Sequence, residues 1–205
     1  MIELTVDEAI ERAAALAAGG RAILGIVGCP GAGKSTLSDA ITGSVPSSVV
    51  VPMDGFHMLN EDLVRLGRRD RKGAPDTFDA DAYVAMLDRL RRQTSEVVTA
   101  PRYDRAASAP IPDAIAVDSG IALVITEGNY LLVDQSPWTA VRPLLDEVWF
   151  VDVDDARRVP RLIARHIEFG KSPDDAREWV MRSDEANAAV VAATRDRADV
   201  VVRLP

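Results

Sequence analysis

The chain has 205 residues, of which 47% are hydrophobic and 27% charged, an ordinary composition for a soluble globular protein with a sizeable core. Its net charge of −8 argues against binding to nucleic acid, which depends on clustered cations, and no apolar run approaches the ~20 residues that cross a bilayer. We therefore expect one cytoplasmic domain over residues 1–205, with no nucleic-acid or membrane partner and an oligomeric state that the sequence leaves open.

The first predicted element is a helix that begins after Thr5. Thr5 and Glu8 have the spacing of a capping box, and apolar residues follow at helical spacing as far as Gly19. The apolar run at 22–27 then predicts a buried strand, and helical spacing resumes at Lys34. The chain therefore passes from a strand into a helix through a glycine-rich loop.

That loop, residues 28–35, reads Gly-Cys-Pro-Gly-Ala-Gly-Lys-Ser and fits G-x-x-x-x-G-K-[ST] at every fixed position. Glycines let successive N–H groups approach phosphate oxygens, and a helix start favours anions. In this pattern Lys34 reaches the β- and γ-phosphates and Ser35 supplies a hydroxyl for Mg²⁺. The single cysteine, Cys29, is interpreted as a small loop filler. We predict a nucleotide site formed by Gly28, Gly31, Ala32, Gly33, Lys34, Ser35 and Thr36.

Beyond the loop, strand patterns and helix patterns alternate. Strands are expected over residues 49–53, 96–101, 121–126, 147–153 and 198–204, and helices over 60–66, 79–92, 138–145, 154–170 and 172–195. After the strand at 96–101 come residues 102–105, and a Pro/Ala-rich loop is expected from there to Asp113. The alternation predicts an α/β fold with a doubly wound parallel sheet and a site along its carboxyl edge.

Two carboxylates, Asp54 and Glu127, follow predicted strand ends. A carboxylate beside a γ-phosphate can hold Mg²⁺ through water or accept a proton from an attacking hydroxyl, although capping and turn roles remain alternatives. His57 is a candidate for the same pocket or for simple packing. Tyr103 and Arg105 offer a ring and a charged fork to a small polar substrate, the alternative being a structural loop.

Three arginines, Arg157, Arg161 and Arg165, recur at intervals of four and would share one face of a helix. Such a face over bound phosphates would stabilise charge on the transferred group and exclude water. We therefore predict a small helical lid at approximately residues 155–180. The alternative is a solvated helix face whose charges pair with nearby acids. His166 is interpreted as an exposed lid residue, and the three tryptophans as core or partly buried surface residues.

Four further stretches carry a family resemblance: Asp-Gly-Phe-His at 54–57, Gly-Ala-Pro-Asp-Thr-Phe-Asp at 73–79, Thr-Ala-Pro-Arg-Tyr-Asp at 99–104 and Glu-Gly-Asn-Tyr-Leu-Leu at 127–132. With these, the chain from about Arg21 resembles the P-loop small-molecule kinases that include uridine kinase, phosphoribulokinase and bacterial pantothenate kinases. Within that group it is most similar to nucleoside/nucleotide kinase family or fructose transport system kinases. The resemblance implies a P-loop NTPase kinase fold, ATP and Mg²⁺. It also implies that Asp54 is the general base, that Glu127 lies beside the metal, that Arg161 and Arg165 belong to a mobile lid, and that Asn187 helps to hold substrate.

These features predict an ATP- and Mg²⁺-dependent kinase whose acceptor is an alcohol of a small metabolite, with a sugar favoured. Lys34, Arg165 and Asp54 are the catalytic candidates, Ser35 and Glu127 the metal candidates. A nucleoside, pantothenate or a nucleotide monophosphate held by the basic residues 68–72 are alternative acceptors. A nucleotide-binding regulatory NTPase is the alternative from another class.

Overall fold

The computed structural model describes residues 2–204 and contains a six-stranded parallel sheet with a separate two-stranded hairpin. The strands are β1 (Ile2–Leu4), β2 (Ala22–Val27), β3 (Ser48–Val50), β4 (Val98–Asp104), β5 (Ala109–Val117), β6 (Leu123–Gly128), β7 (Glu147–Asp152) and β8 (Val200–Arg203). The parallel sheet has the order β1-β8-β7-β2-β6-β3. The predicted α/β fold with a parallel sheet is therefore confirmed, and β1 is an additional edge strand that the sequence analysis missed.

The helices of the described residues are α1 (Val6–Ala18), α2 (Lys34–Ser44), α3 (Asn60–Arg65), α4 (Ala80–Arg92), α5 (Asp155–Glu168), α6 (Pro173–Trp179) and α7 (Glu185–Ala192). The predicted capping box begins α1: the Thr5 hydroxyl accepts from the Glu8 amide while the Glu8 carboxylate accepts from the Thr5 amide. Within residues 2–204 no helix is long and apolar enough to cross a membrane.

The sheet separates two hydrophobic cores, which is why its central strands are apolar on both faces. All six residues of β2 are buried, and they alternate between the cores: Ile23 packs with α4, whereas Leu24 packs with α1 and α2. Since β2 pairs with β6 on one side and β7 on the other, this doubly covered strand anchors the loop that follows it.

The expected Pro/Ala-rich loop up to residue 113 is wrong over its second half, because all of residues 109–113 belong to a strand and only residues 105–108 form a turn. β5 pairs antiparallel with β4, and together they form a hairpin outside the parallel sheet. Pro110 and Pro112 indicated a loop, but a two-stranded ribbon has free edges where a residue without an N–H is tolerated. The predicted strand at 96–101 is therefore real but lies in this hairpin.

Two predicted helices are also corrected. The segment 138–145 forms two short 3₁₀ turns, Trp138–Ala140 and Arg142–Leu144, because Pro143 cannot continue a regular helix. The long helix expected over 172–195 is present over most of that range, because α6, a π-helical turn at Val180–Asp184 and α7 follow one another without a break. The π-helical turn was not predicted, and it lies beside the cleft that Trp179, Asp184 and Asn187 line.

Candidate active site

A cleft of about 920 Å³ lies at the carboxyl edge of the sheet. It is bounded by the loops after three adjacent strands, β2, β6 and β3, and by α5 to α7. Most of the predicted site residues line it: Gly31, Gly33, Lys34, Ser35, Thr36, Asp54, His57, Tyr103, Arg105, Glu127, Arg161, Arg165 and Asn187. Gly28 and Ala32 are buried beneath its surface, and Arg157 lies outside it.

The phosphate loop turns into α2 through glycines in the left-handed region, Gly31 at φ +80° and Gly33 at φ +91°. Lys34 follows at the first helical position, and its Nζ donates to the carbonyl oxygen of Gly28 at 2.9 Å and to Asn129 Oδ1 at 2.8 Å. Burial lowers the pKa of Lys34, opposed by nearby Glu127. Asn129 is a contact that loop spacing alone could not predict, because it comes from the end of β6.

Ser35 and Glu127 form the oxygen-rich part of the site. The Ser35 hydroxyl donates to Glu127 Oε1 at 2.8 Å, and burial raises the pKa of Glu127 despite the nearby Lys34. A hydroxyl and a carboxylate are the donors that Mg²⁺ takes when substrate phosphates and waters complete its shell. Within residues 2–204 no cluster of three or more His, Cys, Asp or Glu side chains could hold a metal, so a metal here would depend on such added ligands.

Asp54 follows β3 after a short irregular segment and lies in a 3₁₀ turn, Met53–Phe56, so the strand predicted over 49–53 ends earlier than expected. The next residue must be glycine, since a Cβ at Gly55 would collide with the Pro101 carbonyl oxygen of β4. This close approach joins the turn to the hairpin. The hairpin in turn supplies Arg105, whose Nη2 lies 3.2 Å from Asp54 Oδ2.

His57 is packed and also faces the cleft. Its ring lies between Phe78, 4.0 Å away between centroids, and Tyr103, 4.6 Å away. Its Nδ1 is 2.8 Å from the carbonyl oxygen of Asp54, and burial lowers its pKa, which favours the neutral ring. A neutral ring that donates from Nδ1 to this carbonyl presents Nε2 as a hydrogen-bond acceptor.

The arginines of α5 have different environments. Arg161 and Arg165 line the cleft, and burial together with Arg105 lowers the pKa of Arg165. Arg158, which the sequence analysis missed, is fully buried. Its guanidinium donates to the Pro30 carbonyl oxygen at 3.1 Å, to Asp155 at 2.7 Å and to Glu185 at 2.7 Å. The sequence signal that could have indicated this arginine is Asp155, three residues earlier on the same helix face. Arg158 joins α5 and α7 to the phosphate loop.

The remaining wall of the cleft comes from the C-terminal helices. Asn187 is buried against the loop at Gly73, and His166, half-buried rather than exposed as expected, lies 2.8 Å from Asp184 Oδ2 through its Nε2. Trp138 and Trp149 are buried in the cores. Trp179 instead lines the cleft, with Lys171 Nζ 4.6 Å from its ring centroid.

A parallel sheet whose central strand β2 leads into this phosphate loop, with Glu127 in the neighbouring strand β6 and Asp54 after the next strand β3, is the arrangement of a P-loop nucleotide-binding protein. The chain matches the model of the Phosphoribulokinase / Uridine kinase family over residues 23–205 and belongs to that family. It is therefore a kinase of small metabolites that uses ATP, as the family resemblance predicted.

Individual relatives agree with this assignment. The chain is 32% identical over 195 residues to a Schizosaccharomyces pombe protein named "Putative uridine kinase C227.14", covering 89% of this chain and 83% of that protein. It is similar to a solved Silicibacter sp. TM1040 structure described as a "putative fructose transport system kinase", with 35% identity, a TM-score of 0.83 and coverage of 94% and 98%. YFH7 from Saccharomyces cerevisiae shares the fold, with a TM-score of 0.84, 18% identity and coverage of 98% and 99%.

Proposed function

We propose that this kinase transfers the γ-phosphoryl group of ATP to an alcohol of a small metabolite, with a sugar as the favoured acceptor. The observation that carries the proposal is the meeting of three groups at the ends of adjacent strands: Lys34 after β2, Glu127 in β6 and Asp54 after β3. The similar protein described as a fructose transport system kinase supports a sugar. A nucleoside, pantothenate or nucleotide monophosphate remains an alternative acceptor, and a regulatory NTPase an alternative class.

The phosphate loop would hold the triphosphate. Its N–H groups and the start of α2 attract anionic oxygens, and the residues that would make these contacts run from Gly28 to Thr36. Lys34 Nζ is bonded to neutral carbonyl and amide oxygens, which phosphate oxygens would replace with stronger, charge-assisted acceptors. Lys34 would then offset charge that develops on the transferred group.

Ser35 and Glu127 would hold Mg²⁺, because hydroxyl and carboxylate oxygens are ligands that suit this ion. When bound, the metal neutralises charge on the β- and γ-oxygens. The partly buried Glu127 carboxylate is costly when no cation faces it, which is consistent with a residue placed to face one.

Asp54 would act as the general base. The acceptor oxygen bonds to the γ-phosphorus as the bond from that phosphorus to the β–γ bridging oxygen breaks, and Asp54 takes the hydroxyl proton while ADP leaves. Arg105 holds the carboxylate in place, and His57, Tyr103 and Asn187 would position the acceptor. Catalysis would be largely positioning and electrostatic stabilisation.

We also propose that α5 and α6, at approximately residues 155–180, act as a lid. Arg161 and Arg165 lie on the cleft side of α5, where closure would bring them onto the triphosphate and exclude water. Phe169, after α5, already lies 5.9 Å from the Arg105 guanidinium, so the lid contacts the acceptor wall. We propose a cytoplasmic protein without nucleic-acid or membrane partners, which the net charge of −8 supports.

The test is Mg·ATP turnover by wild type, Asp54→Asn and Asp88→Asn with sugars, polyols, nucleosides, nucleotides and pantothenate. Asp88→Asn makes the same charge change on α4, outside the cleft. Removal of a general base should lower kcat roughly 10²- to 10⁴-fold with ATP affinity retained, while the Asp88 variant behaves as wild type. Equal turnover in both variants would reject Asp54 as the base, and ADP release that no acceptor stimulates would favour the regulatory NTPase.

A further inference from the structure

We infer that the acceptor alcohol carries an acidic group, a phosphate or a carboxylate, that binds to Lys72 and Arg69 on the acceptor side of the cleft. The inference rests on the proposed function and narrows its substrate to an anionic one. In this arrangement the acidic group serves for recognition, and the alcohol remains the group that receives the phosphoryl.

The first support is the charge of the cleft. Although the whole chain carries −8, the residues that line the cleft include more cations than anions. The cations are Lys34, Arg69, Lys72, Arg105, Arg161, Arg165 and Lys171; the anions are Asp54, Glu127, Glu168 and Asp184. The chain as a whole is therefore acidic, but the lining of its cleft is basic, and a basic lining favours anionic ligands.

The position of Lys72 is the second support. Its Nζ lies 5.3 Å from the centroid of the Tyr103 ring, and that ring stacks on His57, three residues after Asp54. The ammonium is held by Asn60 Oδ1 at 2.7 Å and by the Ser108 carbonyl oxygen at 2.9 Å. Lys72 is therefore fixed on the wall that bears the base, away from the phosphate loop.

The basic residues at 68–72 differ in their partners. Arg68 and Arg71 form ion pairs with Asp76, at 3.3 and 2.8 Å, and Arg71 also lies 3.9 Å from Asp70, so two carboxylates neutralise these two arginines. Within residues 2–204 neither Lys72 nor Arg69 forms an ion pair, and both line the cleft. The neutralised arginines support the loop, whereas the two uncompensated cations face the space where the acceptor would lie.

An anionic group on the acceptor would complete this arrangement. Lys72 has two neutral acceptors and a third N–H to donate, and a half-buried ammonium gains most from a charged acceptor. A neutral polyol would leave both cations without a counter-charge, whereas a phosphate or carboxylate would pair with them. Lys34, Arg161 and Arg165, by contrast, lie where the triphosphate would need them.

The experiment compares acceptors matched in carbon number, each set with a neutral, a carboxylate and a phosphate member: ribose, ribonate and ribose 5-phosphate; glycerol, glycerate and glycerol 3-phosphate; glucose, gluconate and glucose 6-phosphate. Transfer from Mg·ATP is measured for each with wild type, Lys72→Gln, Lys72→Arg and Arg69→Gln. Arg65→Gln is the matched control, because Arg65 is an exposed residue of α3 that pairs with Asp62 outside the cleft. The carboxylate and phosphate members identify which acid is recognised.

We expect an acidic member to exceed its neutral counterpart in kcat/KM by roughly tenfold to a hundredfold, the value of a hydrogen bond to a charged group. Lys72→Gln and Arg69→Gln should raise the KM for that acceptor with little change in the KM for ATP, Lys72→Arg should restore most of the preference, and Arg65→Gln should match wild type.

Phosphorylation of neutral acceptors as efficiently as acidic ones would overturn this inference while leaving the proposed kinase function in place. A preference for an acidic acceptor that survives both cleft variants would overturn the assignment to Lys72 and Arg69. ADP release without transfer to any acceptor would reject the proposed function and this inference with it.

Discussion

Arg158 provides the most direct test of how the C-terminal helices are attached to the nucleotide site. Replacement of Arg158 by Met keeps much of the apolar stem but removes the guanidinium that contacts Pro30, Asp155 and Glu185. The variant therefore separates the charged contacts from the packing of α5.

The expected loss of stability follows from the exposure of each partner. Asp155 is 75% exposed, so that pair is worth about 0–1 kcal/mol. Glu185 is only 27% exposed and the Pro30 carbonyl is buried, so together these charged hydrogen bonds contribute roughly 2–3 kcal/mol. The free energy of unfolding should fall by about 2–4 kcal/mol, which lowers the melting temperature of a chain of this size by roughly 5–15 °C.

The assay is thermal and urea unfolding of Arg158→Met beside Arg157→Met, the neighbouring exposed arginine outside the cleft. Only the Arg158 variant should unfold early, and only it should raise the KM for ATP, because Pro30 belongs to the phosphate loop. Two variants with equal melting temperatures and equal KM values would refute the argument that α5 is tied to the loop through this guanidinium.

Three further predictions concern the acceptor wall and the metal side of the site. Gly55→Ala should lower the free energy of unfolding by about 1–3 kcal/mol and lower kcat, since the new Cβ would meet the Pro101 carbonyl. The control, Gly43→Ala in α2, has open space around it and should be neutral or stabilising. Similar melting temperatures for the two variants would contradict this. Burial lowers the pKa of His57 below its ordinary 6.5, so as the pH falls the imidazole is protonated in the unfolded chain before it is protonated in the folded one. The free energy of unfolding should therefore fall as the pH drops below about 6.5. Urea titrations from pH 7.5 to 5 should show a smaller loss of stability for His57→Gln than for wild type. Glu127→Gln should leave stability at pH 7 unchanged or raised, because a costly, partly buried carboxylate is removed, and it should lower Mg·ATP turnover at least tenfold. Calorimetry measures the stability and a magnesium titration the turnover; undiminished turnover would exclude a metal role.

The parallel sheet could be predicted from the sequence because its information is local. The continuous apolar run of β2 and the loop after it specify a buried strand, a tight turn and a helix start within 15 residues. Asp54 and Glu127 could be placed beside that loop because parallel strands end at one edge. Their placement at this edge needed only approximate strand positions. It was therefore unaffected by the predicted strand at 49–53, which in the structure ends at Val50.

The parts that were missed depend on contacts between distant segments. The i, i+4 spacing selected Arg157 and passed over Arg158, but Arg157 lies outside the cleft, whereas Arg158 contacts Pro30 and Glu185. Helical spacing alone does not specify which side of α5 is buried. The β4–β5 hairpin was missed since its prolines suppress the strand signal. Lys72 was grouped with its basic neighbours, and only the pairing of Arg68 and Arg71 with Asp76 distinguishes it from them.

The pairing of β1 with β8 affects how the sheet is completed and protected. Ile2 to Leu4 align with Val200 to Val202, so these strands join residues almost the full chain apart. Such pairing carries a large loop-closure cost and is expected late in folding. Until it forms, the three consecutive valines of β8 are an unpaired apolar edge, which is a template for aggregation. The short strand β1 therefore covers the backbone edge of β8 that would otherwise be open to pairing with another chain. The Glu3–Arg203 ion pair, at 3.0 Å, helps to hold β1 in this position.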